Sequence, residues 1–373
     1  MRHFTVAALV TMLLLAVSPA AWGAAKAESG GTIELTYDAG GASKAMTPAW
    51  AIGYYNNRFS VGSSSSLGIR VAGTTVKTSA RVSGRTVYLG FDRNGDGTIS
   101  NTEWASIPRT KTMLISGKTG DQSYVIRLVD IVARYNRTSA TCWGQVLIRS
   151  SMKGTLGGIP VRILDDDMDG QFTQKVSARG SDAILIGGSN AAVPLRSMHR
   201  IGKNFYRLKV ASDGSSIDYE RVADTAVGQV RAVFPANTLQ SLVLVGKDSA
   251  FDVRTDGLAG IPPGSYSLAY GVVSRSKAAL TFRSGTGLAA TPQYDIKDGM
   301  INTLRIGKPF RLDFRAGYAK GKVRLSASTV SIVGSGSEVY GPLDFTEGGN
   351  IRPPAVTMLN GRRVASSTTM KYG

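Results

Sequence analysis

Two short stretches of this chain set oxygen-bearing side chains at alternate positions. Residues 92–103 read Asp-Arg-Asn-Gly-Asp-Gly-Thr-Ile-Ser-Asn-Thr-Glu, so Asp92, Asn94 and Asp96 alternate ahead of Gly97. Thr98 follows with its carbonyl, Ser100 with a hydroxyl and Glu103 with a longer carboxylate. Short oxygen side chains at every second residue converge on one point as the backbone curls, and glycine takes the sharp turn without strain. A terminal glutamate is long enough to reach back with two oxygens. The chemistry of such a set is coordination of a hard cation, and calcium is the expected ion. The competing reading is a plain Asn-Gly/Asp-Gly turn between strands.

The second stretch begins with Asp165, Asp167 and Asp169 at the same alternate positions, followed by Gly170, Gln171 and Phe172. Gln171 would offer its carbonyl as Thr98 does. The twelfth position is Val176, which cannot coordinate, so the glutamate's place is empty. Asp182 could close this site if Thr173 to Ser181 loops out. The competing reading is a solvated acidic turn to which Asp166 adds charge. Eight of the chain's 26 acids fall in these two segments, a concentration that favours a bound cation in so basic a protein.

Residues 92–103 resemble the EF-hand calcium loop at every diagnostic position, including Ile99 at the inward-pointing eighth place. The resemblance covers those twelve residues only. It implies calcium ligands at Asp92, Asn94, Asp96, Thr98, Ser100 and Glu103. The flanks depart from that family, because Arg85 to Phe91 alternates like a strand where an EF-hand has a helix. Ser100 and Glu103 are spaced as a capping box, which predicts a short exit helix ended by Pro108. A paired hand that opens on binding is missing, so the pattern predicts a structural calcium site, not a sensor.

The elements that must position these loops read as strands. Val87, Leu89 and Phe91 alternate with Thr86, Tyr88 and Gly90, and Val125 to Arg134 is rich in β-branched residues. Tyr206 to Tyr219 reads as a hairpin turning at Ser212-Asp213-Gly214, and residues 353–373 as a closing hairpin. Glycine contributes 44 of 373 residues, well above the usual ~7%, which argues against an all-helical protein. The expected fold is mainly β: two β-sandwich-like units with calcium-loop insertions and few short helices. The expected division is a signal peptide at 1–23, a β-rich domain carrying the loops at 24–230 and a second β-sandwich-like domain at 231–373. Ser63 to Ser66 is a polar loop.

Met1-Arg2-His3 followed by an apolar run to Val17 and small residues at Ala21 and Gly23 predicts secretion or export to the periplasm of a bacterial envelope. No later run is apolar and long enough to span a membrane as a helix. The formal charge is +18, and the densest basic stretch, Arg196 to Lys209, alternates with apolar residues as a half-wet strand does. Scattered charge without clustered stacking aromatics predicts no nucleic-acid partner. Attraction to an anionic envelope polymer or polysaccharide is the expected use of that charge.

One cysteine, Cys142, and two histidines, His3 and His199, leave no material for disulfides, Cys/His zinc sites or histidine triads. Outside the loops, Glu338 in Gly334-Ser-Gly-Ser-Glu338 is the strongest candidate for carboxylate chemistry, against a structural role in a turn. Two functional expectations follow. One is a secreted calcium-binding β protein with a structural, adhesive or envelope-binding role. The other is a secreted calcium-stabilised hydrolase acting on polysaccharide.

Overall fold

A computed structural model describes residues 27–39, 58–62, 69–108, 112–120, 122–174, 181–189, 192–234, 239–254, 258–275, 278–283, 293–313, 316–319, 322–325, 331–340, 355–360 and 363–369. Residues 1–23, expected to be a signal peptide, and Ser63 to Ser66 lie outside them. The fold is mainly β, built from several separate sheets. Among the described residues the helical element is a 3-10 turn at Asn101–Glu103.

Alternation decides most of these strands. Thr86–Phe91 pairs antiparallel with Thr78–Ser83, burying Val87, Leu89 and Phe91. Gln122–Tyr135 sits between Met113–Thr119 and Ala140–Ile148. Its Tyr124, Ile126 and Leu128 pack inward. Cys142 is buried in the same core, and burial pushes its thiol pKa up to about 11. Asn204–Val210 and Ser216–Val222 form the expected hairpin, and Ala355–Asn360 pairs with Arg363–Thr369.

The exit helix predicted from Ser100 to Pro108 does not form beyond its first turn. Glu103 accepts the Ser100 amide as a capping box requires, but Trp104–Ser106 then pairs with the strand before the loop. Trp104 opposite Gly90 explains the outcome. The indole lies against the bare glycine on one side and 4.2 Å from the Arg81 guanidinium on another. Sheet pairing thus overrides the local cap signal.

Three apolar clusters form the core. One lies between strands from Phe59 to Ala192. The other two cross the expected boundary at 230/231: one joins Leu156, Ile184 and Tyr206 to Val243 and Tyr270, the other Met198 and Phe205 to Phe251 and Leu304. The strand Gly228–Val233 itself runs through that boundary. It pairs parallel with Ile301–Arg305 and antiparallel with Ala259–Ile261. The Tyr270 hydroxyl also donates to the Ala192 carbonyl, tying the two halves through a buried bond.

Candidate metal centre

The strand Ile159–Leu164 pairs antiparallel with Ala183–Ile186, with Leu164 opposite Ala183. One step beyond that pair, the register sets Asp165 across from Asp182. After Leu164 the chain leaves the sheet and curls. Asp165 Oδ1 accepts the amide of Asp169 at 2.9 Å and Oδ2 that of Gly170 at 3.0 Å. The amide of Met168 turns back toward the Asp165 carbonyl at 3.3 Å, and Met168 takes φ +56°. Asp167 is thereby swung to the same side as Asp165.

A second turn clamps this curl. Gly73 donates its amide to the Met168 carbonyl at 3.0 Å, from a turn in which Ala72 and Gly73 have φ +47° and +74°. That turn joins Ile69–Val71 to Thr74–Val76. A Cβ on Gly73 would stand 2.5 Å from the Asp169 carbonyl oxygen, and one on Gly170 would stand 2.7 Å from the Ala72 carbonyl. Backbone lies on backbone here, and only glycines at both positions permit it.

Asp165, Asp167 and Asp182 each bring a carboxylate oxygen to within 4.8 Å of the others. They are the group with metal-ligand geometry among the described residues. Asp182 is 1% exposed, its Oδ2 accepts the Thr173 amide at 2.5 Å, and its Oδ1 has no hydrogen-bond partner. Burial, reinforced by the neighbouring carboxylates, pushes Asp165 up to about 7 and Asp182 up to about 9. Asp166, also buried, is pushed well above the usual carboxylate range and lies outside the group. Like charges withdrawn from water favour protonation unless a cation takes the proton's place. A divalent ion would do so, and it would be the largest local charge in the site.

The first loop is built differently. Asp92 Oδ1 accepts the amides of Gly95 and Asp96, and its Oδ2 accepts that of Gly97 at 2.8 Å. Glu103 Oε1 accepts the amides of Arg93 and Asn94, and Oε2 those of Ser100's amide and hydroxyl. These bonds outweigh burial and hold Glu103 below the usual glutamate pKa. Asp96 is turned to the Thr98 hydroxyl and amide at 2.7 Å, and Asn94 donates to its other oxygen. Lys77 reaches the Gly97 carbonyl at 2.8 Å. The loop curls as its pattern demands, but its carboxylates close it upon its own amides and do not form a group of the kind seen at Asp165.

Of the other expected ligands, Asp169 accepts the Gln171 amide at 2.8 Å, and neither residue joins the group. No family model matches the chain, and comparison with curated proteins and with solved structures gives no match.

Glu338 is fully buried and engaged by both oxygens. Oε1 accepts the Gly307 amide at 2.6 Å and the Tyr340 hydroxyl at 3.0 Å, and Oε2 accepts the Gly336 amide at 2.9 Å. A carboxylate so committed braces a glycine turn. The basic stretch is likewise partly internal. Arg196 and His199 are buried, and Arg207 lies opposite Glu220 across the hairpin, 3.9 Å away.

Proposed function

We propose that this chain is a secreted or periplasmic calcium-binding β protein with a structural, adhesive or envelope-binding role, and that calcium sits at Asp165, Asp167 and Asp182. The observation that carries the reading is the convergence of these three carboxylates around a buried, unpartnered Asp182 oxygen. An all-carboxylate set selects hard cations over zinc, which prefers histidine and cysteine. Calcium accepts irregular oxygen sets of six to eight, whereas magnesium holds to octahedral geometry and keeps its water. Asp182 closes the site in place of the missing twelfth-position glutamate. The ion then pins the chain after Leu164 to the start of the neighbouring strand, which makes it a fixture of the fold.

Thermal unfolding in chelator, then with calcium or magnesium, tests this. Calcium at ten times its dissociation constant stabilises by about 1.4 kcal/mol. Asp182→Asn should abolish that increment, because it removes a charge from the site while keeping an acceptor for Thr173. Glu103→Gln should lower stability with the calcium increment intact. A wild-type melting temperature indifferent to calcium would sink the reading.

A further inference from the structure

A second feature lies away from the acidic loops, where three sheets meet. The strand Met198–Ile201 runs beside Ala250–Asp252, held by a parallel bridge between Met198 and Ser249 and by the Met198 amide on the Asp248 carbonyl at 2.9 Å. This places Arg200 near Asp252, and Arg254 follows two residues on. Residues of the strand that follows Asp182 (Ile184, Ile186) and Gly188 and Ser189 beyond it line the same place. Together they line a half-open cleft of about 290 Å³. That volume is near the lower end for ligand pockets, roughly 300–1,000 Å³, and is suited to one small ring.

The charged groups of this cleft are held, but not used up. Arg200 donates one guanidinium N–H to the Gly260 carbonyl at 3.0 Å. Asp252 Oδ1 accepts the amides of Leu242 and Arg254 at 3.0 and 3.1 Å, which fixes the carboxylate. Among the described residues, the ion pairs within 4 Å involve Asp38 and Glu220, not Asp252. No described hydrogen bond engages the Arg254 guanidinium. Two guanidinium groups and one carboxylate leave the cleft a single net positive charge.

We infer that this cleft binds a sugar carboxylate, a uronic-acid unit, with its carboxylate on Arg200 and Arg254. Planar carboxylate matches the guanidinium fork, which a point charge does not. The net charge suits a monoanion, and Asp252 opposes the second charge of a phosphate ester. The choice of a saccharide rests on the envelope-binding reading above; the cleft and its charge do not.

Titration calorimetry on the full mature chain, in saturating calcium, decides the matter with D-glucuronate, D-glucose and glucose 6-phosphate as probes. Glucuronate should bind at least tenfold more tightly than either of the others. Arg254→Gln should weaken glucuronate tenfold or more, and Arg200→Lys several-fold, since it keeps charge but loses the fork. Arg207→Gln, on the solvated hairpin, should change nothing. Equal binding of glucose and glucuronate, tighter binding of glucose 6-phosphate, no binding by wild type, or full affinity in Arg254→Gln would each overturn the inference. A calcium increment that survives such a failure would leave the metal reading standing, so the two fail separately.

Discussion

Glu338 and Asp182 show how differently two buried carboxylates can be spent. Glu338 answers three donors and has no oxygen to offer, whereas Asp182 answers one and keeps Oδ1 open. Glu338→Gln would turn an amide group against at least one of those donors. Stability should fall by about 1–3 kcal/mol, readable as a lower denaturation midpoint, with calcium binding unchanged. His199 makes a different prediction. It is fully buried, its Nε2 accepts the Arg196 amide at 3.0 Å, and burial beside Arg196 drives its pKa from 6.5 down to about 4. Between those values the unfolded chain takes up a proton that the native chain refuses. The stability contributed by the neutral ring is therefore complete above pH 6.5 and is lost as the pH falls toward 4, by roughly 3 kcal/mol in all. Denaturant unfolding of wild type and His199→Gln across that range should give curves that differ in slope. Parallel curves would mean the ring is not neutral in the fold.

At the scale of elements, the clamp of one turn upon another governs the metal site. Gly73→Ala would strain a residue at φ +74° and drive a methyl into the Asp169 carbonyl. The curl that carries Asp165 and Asp167 must then shift, so calcium affinity should fall along with stability. Gly84→Ala supplies the control, because Gly84 has φ +62° with open space around it. It should cost about 1 kcal/mol and leave calcium affinity alone. What was legible in the sequence follows the same division. Period-two strands such as Gln122–Tyr135 and the hairpin from Asn204 to Val222 are written locally, and they fold as read. Asp182 was legible as a carboxylate, but its meeting with Asp165 depends on the register of two strands, set by which faces are buried. The capping box at Ser100 and Glu103 was legible too, yet no helix follows because Trp104 gains more by pairing beside Gly90. Arg200 and Arg254 carry no local signal as a pair. Arg200 even reaches a carbonyl 60 residues away, and sequence spacing says nothing of such meetings.

For the whole molecule, the important fact is that its apolar clusters ignore the division expected at 230/231. Val243 and Tyr270 complete a core begun by Leu156 and Tyr206, and Gly228–Val233 is held on both edges by later strands. Fragments 24–230 and 231–373 expressed separately should therefore expose apolar surface and unfold without a cooperative transition. Sharp, independent melting of either fragment would show two self-sufficient units after all.

The strand Ala27–Glu34 closes one sheet by pairing with Ser216–Val222, and Thr32 donates its hydroxyl to Asp218 across 186 residues of chain. A ribosome adding about 5–20 residues each second needs roughly ten to forty seconds to supply the partner. Throughout that interval the first strand has been made but has nothing to pair with. The edge of this sheet is thus made long before the strand that pairs with it, and its place in the fold waits on that partner.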